Sequence, residues 1–236
     1  MQLTTLRVAA DRPKTLGVPL QFLVTGGWMS QSVDRASMFW DWFAGHVDDI
    51  AAGAHRSSEI RDLPPVLVEL SSRVVALGFG GAWEIGPDDR GWFFCVSPGA
   101  SADRLAETKE FVALAPSIAG WVFHAAKPAK IWDRRAMTFD GGEVDVDSWQ
   151  YQLRRWDDGA MGIIWGLPER PPGDDGDWDE LGWMLLESEL GEAVVIQHFV
   201  DVEMVVNPPW LLDDSGNKIS ILRDHVQQLT DDVGDA

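Results

Sequence analysis

Side chains able to do chemistry are few in this chain and widely spaced. Five histidines, His46, His55, His124, His198 and His225, include no pair four residues apart, the spacing that sets two imidazoles on one helical face for zinc. The single Cys95 cannot complete a thiolate zinc site, and its place inside the apolar run 92–96 suits a small buried hydrophobe. His124 and His198 fall in runs that read as strands. On neighbouring strands, with a carboxylate beside them, they could work as an acid–base pair; hydrogen-bonded core or edge histidines are the simpler expectation.

Phosphate and cation loops fail on spacing. Gly78-Phe79-Gly80-Gly81 resembles a dinucleotide loop only until Trp83, where the third glycine should stand, and it precedes a strand rather than following one. In the acidic run 174–179, a calcium loop starting at Asp175 would need glycine where Glu180 stands and a bidentate Glu where Leu186 stands. Ser97 precedes Pro98 outside any G-x-S-x-G setting, and the linear order alone identifies no catalytic partner for Glu84, Glu143 or Asp145. The expectation is no catalytic set, no cofactor and no metal. Binding is expected instead at the acidic loop, through Asp174, Asp175, Asp177 and Trp178, and at Trp132.

Composition permits a binding role, with solubility alone as the simpler account of the charge. The 236 residues carry 38 Asp and Glu against 19 Lys and Arg, a net charge of −19. Such a chain repels nucleic-acid phosphates and anionic membrane surfaces but attracts a basic protein. Thirteen Trp stand against one Tyr, and about ten of the indoles are expected in the core, leaving Trp132, Trp178 or Trp210 for an interface. The N-terminus lacks an apolar signal core and no run approaches about 18 apolar residues, so a cytoplasmic location is expected.

The elements that must position these residues follow from periodicity. Runs 3–8 and 19–25 read as strands. A helix is expected from Val33 to Ile50 behind an N-cap at Ser30 or Ser32, with Asp34, Asp41 and Asp48 on its outer stripe. A second helix runs from Pro64 to Leu77 and stops at the glycines beyond it. Strands 82–85 and 92–96, a helix over 103–115 and a strand over 121–125 follow. Residues 127–148 are less regular and hold the only basic cluster, Lys127, Lys130, Arg134 and Arg135. A hairpin is expected at 149–167, a helix from Asp177 to about Gly191, one long strand over 194–206 and a closing helix over 218–229. The expected class is α+β. Two strand–helix–strand units, 92–125 and 161–206, sharing one sheet would give a ferredoxin-like split βαβ core over 81–236, with residues 1–80 as a helical elaboration packed on it.

Four segments then fall into a pattern. Phe39-Trp40-Asp41-Trp42-Phe43, Trp83-Glu84-Ile85-Gly86-Pro87, Ala115-Pro116 with Gly120-Trp121, and Glu187 to Leu190-Gly191-Glu192 occur in this order. Together they resemble a family of uncharacterised bacterial proteins with FW-x-WF, E-x-G-P, AP…W and LGE motifs. The likeness spans about residues 38–206. It implies a bacterial, cytoplasmic protein and brings no activity or site residues with it. The functional expectation is a non-enzymatic acidic protein of regulatory or immunity type that binds a basic partner. An enzyme or small-molecule binder with an unrecognised site is the alternative.

Overall fold

A β-hairpin followed by a helical crossover is the motif on which both halves of the chain are built. The computed structural model describes residues 6–8, 28–56, 63–79, 82–89, 91–132, 134–173 and 178–231. They belong to two units, 1–127 and 128–236.

In the first unit, β2 (Trp83–Asp88) and β3 (Gly91–Val96) pair antiparallel, and β4 (Trp121–His124) joins β3 in parallel. Parallel neighbours need a crossover, which α4 (Ala102–Ala113) supplies, capped by Ser101 Oγ accepting the Arg104 N–H at 3.3 Å. β1 (Leu6–Val8) lies on the far side of β2, giving the order β1-β2-β3-β4. The described pairs of β1 run from Leu6 opposite Ile85 to Val8 opposite Trp83.

Three helices precede the hairpin: α1 (Trp28–Gly45), α2 (Val47–Arg56) and α3 (Pro65–Leu77). α1 lays Phe39, Trp40 and Phe43 into an aromatic core with Phe94 of β3 and Phe111 of α4. Trp40 stacks on Phe111 at 4.7 Å, and its indole N–H donates to the Phe111 carbonyl at 3.0 Å. A buried indole N–H needs such an acceptor. α3 begins on Pro64-Pro65 and ends at Gly78, whose φ of 87° is open to glycine at no steric cost. The Trp83 indole, donating to Ser71 Oγ at 2.9 Å, ties α3 to β2.

In the second unit, β5 (Ala136–Phe139) and β6 (Gly142–Asp145) make a small hairpin. β7 (Gln150–Arg155) and β8 (Met161–Leu167) make a larger one. α5 (Trp178–Leu190) and α6 (Glu192–His198) then return the chain so that β9 (Phe199–Val206) joins β8 in parallel. After α7 (Pro209–Leu212), β10 (Asn217–Lys218) adds to β7, for the order β10-β7-β8-β9, and α8 (Leu222–Asp231) closes the unit. One face of the sheet carries Tyr151, Ile163, Trp165, Leu167 and Val202 into a core with Leu181, Leu185 and Leu186 of α5. Gly182 lets α5 approach: a Cβ there would lie 2.6 Å from Val202.

Several expectations need correction. The two crossover units do not share a sheet; each return strand pairs with its own hairpin, giving two four-stranded sheets, one in each unit. Short connections favour such neighbours. The two compact units divide after Lys127, and within the first the N-terminal helices bury their aromatic face on β2 and β3. The helix expected over 33–50 breaks at His46. Its Nδ1–H donates to the Trp42 carbonyl at 2.7 Å, displacing the backbone N–H onto Phe43 at 3.0 Å. Ser30 and Ser32 lie within α1, which starts at Trp28. The strand expected over 194–206 begins only at Phe199, opposite Met161 where β8 begins; its first part is α6. The run 19–25 lies outside the described residues.

Candidate functional site

Of the residues expected to bind, the structure describes Trp132 and Trp178. Asp174, Asp175 and Asp177 lie outside the described residues. Trp178 heads α5 and is buried, with the Arg170 guanidinium over its ring at 4.9 Å. Trp132 is half-buried against the core, under the Lys130 ammonium at 5.3 Å. His124 ends β4 of the first sheet, whereas His198 closes α6 and is not in a strand, so they are not neighbours in a sheet. Among the described residues no group of three or more His, Cys, Asp or Glu could hold a metal ion, and no helix is long and apolar enough to cross a membrane.

The basic cluster is committed internally. Arg134 bridges Glu143 and Asp145 at 2.8 and 2.9 Å across β6. The hydrogen bond from Arg134 holds the Asp145 carboxyl below its ordinary value. Arg135 reaches Glu189 of α5 at 2.9 Å and Asp147 at 3.6 Å. Arg223 of α8 donates to the Glu189 carbonyl oxygen at 2.7 Å and to the Lys130 carbonyl at 3.4 Å. Lys130, Arg134 and Arg135 are thereby tied to α8, the β5–β6 hairpin and α5. Burial pushes the Glu189 carboxyl up, and the bond and charge of Arg135 pull it back in part. The only tyrosine, Tyr151, is fully buried with its hydroxyl 3.0 Å from His225 Nδ1, and burial pushes the phenol well above its ordinary range.

The other face of the second sheet carries a feature the sequence reading missed. Register places three rows across it: Arg154–Gly162–Asp201, Gln152–Ile164–Glu203 and Gln150–Gly166–Val205. Two glycines four residues apart on β8 leave holes at either end, and an indole fills each. A Cβ on Gly162 would sit 2.7 Å from Trp156 and 3.3 Å from Asp201 Cβ; one on Gly166 would sit 2.3 Å from Trp210. Trp156 lies just beyond β7, where Asp157, Asp158 and Gly159 turn the chain, its backbone N–H donating to the Ala160 carbonyl at 2.9 Å. Arg154 pairs with Glu203 at 2.9 Å and reaches Asp201 at 3.9 Å. Trp156 is 42% exposed, and among tryptophans with described side chains it alone is exposed. The usable signal was its place outside the alternating run 149–154, next to a turn.

A cavity of about 370 Å³ opens between the end of β6 and the Pro168–Pro172 loop; Glu143, Asp145, Asp147 and Glu169 line it with Trp149 and Arg170. Charge is unevenly divided. Residues 1–127 hold 11 Lys and Arg against 14 Asp and Glu, net −3; residues 128–236 hold 8 against 24, net −16. No family model matches the chain, and no curated protein or solved structure is significantly similar to it. Much of the four-motif pattern serves the interior: Phe39, Trp40, Phe43, Trp83, Ile85 and Leu190 are core residues.

Proposed function

We propose that this chain is a non-enzymatic, acidic protein of regulatory or immunity type, acting in the cytoplasm, that engages a basic protein partner through its C-terminal unit. The observation that carries the reading is the charge division, net −16 on residues 128–236 against −3 on the rest. An excess of this size on one unit speeds the approach of a cationic surface and gives it a preferred side. The internal commitment of Arg134, Arg135 and Arg223 adds to this, because those cations serve the fold of the same unit.

The test is capture on the immobilised full chain at low salt, identification of what is retained, and elution over a salt series. The reading expects proteins of high isoelectric point, released steeply as salt rises. Retention of acidic proteins only, or release indifferent to salt, contradicts it. The cavity beside Trp149 favours a second reading, a small cationic ligand; thermal-shift screening of amines and guanidines addresses it.

A further inference from the structure

We infer that Trp156, with the carboxylates around it, is the anchor point for a lysine or arginine side chain of that basic partner. The inference rests on the protein-binding reading above and adds the place and chemistry of contact. An exposed indole offers its negative face to a cation, an attraction that strengthens as the pair leaves water. Trp156 is the exposed indole, and it is held from behind. Gly162 leaves room for the ring edge to lie against the sheet, and the turn orders the main chain that carries it, the Trp156 backbone N–H donating to the Ala160 carbonyl at 2.9 Å. A main chain already ordered beneath the ring lowers the cost of ordering the contact on binding.

Its surroundings select a cation. Asp157 and Asp158 follow it directly in the turn, and Asp201 Cβ and the ring edge lie within 3.3 Å of one point above Gly162. Glu203 stands one row further along the same face. Arg154 is the opposing charge; it occupies one oxygen of Glu203 at 2.9 Å and is 3.9 Å from Asp201, so acceptor positions remain on both. Arg155 alternates onto the opposite side of β7.

The chain itself shows the chemistry. Arg73 lies over Trp42 at 4.6 Å, Arg170 over Trp178 at 4.9 Å and Lys130 over Trp132 at 5.3 Å. Among the described residues no Lys or Arg of the chain lies over Trp156. Exposed Trp with nearby charge is also the composition of interface hot spots.

The test titrates the full chain with a hexa-arginine peptide at low salt, following indole N–H resonances by NMR and affinity by calorimetry. The Trp156 resonance should move first and furthest. Trp156→Leu, which keeps an apolar cover over Gly162, should weaken binding about fivefold to tenfold, and Trp156→Phe should restore part of the loss. Asp201→Asn with Glu203→Gln should weaken it by a similar factor. Peptide binding with the Trp156 resonance unmoved and Trp156→Leu unchanged overturns the anchor while leaving the acidic-unit reading intact. No peptide binding by the wild-type chain overturns both.

Discussion

Gly162 and Gly166 differ from every other residue of β8 in what they leave out, and the two indoles over them make the difference measurable. A methyl group at Gly166 would meet Trp210 at 2.3 and 2.5 Å, and Pro208 closes the same side at 3.0 Å. At Gly162 the obstacle is the edge of an exposed ring at a chain turn, which can swing away. Gly166→Ala should therefore cost about 2 kcal/mol and Gly162→Ala under about 1 kcal/mol, as urea unfolding would report. Equal costs would mean that Trp156 is as tightly held as Trp210. Tyr151 gives a second test at this scale. Its pKa in the fold is raised, so the stabilisation it gives is complete below the ordinary phenol value of about 10 and is lost as pH rises above it. Stability should fall there by up to about 1.4 kcal/mol per pH unit, and Tyr151→Phe should remove that slope. With one tyrosine in the chain, tyrosinate absorbance isolates the event. Its appearance at an ordinary pH without unfolding would contradict the burial argument.

Arg134 and Arg135 show how residues outside regular structure are held by charge. Arg135 and Arg223 converge on Glu189, the carboxylate through its side chain and the carbonyl through its backbone. Because burial raises the Glu189 carboxyl above its unfolded value, its contribution to stability is complete below that value. It is then lost as pH rises through the raised one. Glu189→Gln stays neutral, so its urea midpoint should vary less with pH over that acid range than the wild-type midpoint. A parallel pair of profiles would refute the assignment. Elements were legible where one signal dominated. The Pro64-Pro65 start and Gly78 stop framed α3, and the alternation through Trp149, Tyr151 and Leu153 framed β7. They were illegible where tertiary context overrode propensity. Val194, Val195 and Ile196 favour strand, yet β9 can begin only where β8 begins, and the residues before it complete the crossover as α6. The β5–β6 hairpin is four residues a side, too short to establish a period. Trp156 was hidden for a related reason. Its seat over Gly162 depends on the pairing across the hairpin, which periodicity along one strand does not report.

At the scale of the molecule, composition indicated an acidic chain but not where its charge lies; that follows only from the division after Lys127. The α+β class was readable from the mixture of periods. The single shared sheet was not, because strand pairing between distant units leaves no trace in one sequence. The division has a simple consequence: neutralising Asp34, Asp41, Asp48 and Asp49, all exposed on α1 and α2, should leave partner affinity within about twofold of wild type, since they lie in the nearly balanced unit. The most direct measurement is hydrogen exchange on the full chain, with and without the basic proteins it retains at low salt. Slowed exchange confined to residues 128–236, and strongest across 154–162 and 199–205, is the predicted result. Slowed exchange mainly within residues 1–127, or none anywhere with the partner bound, would contradict the account.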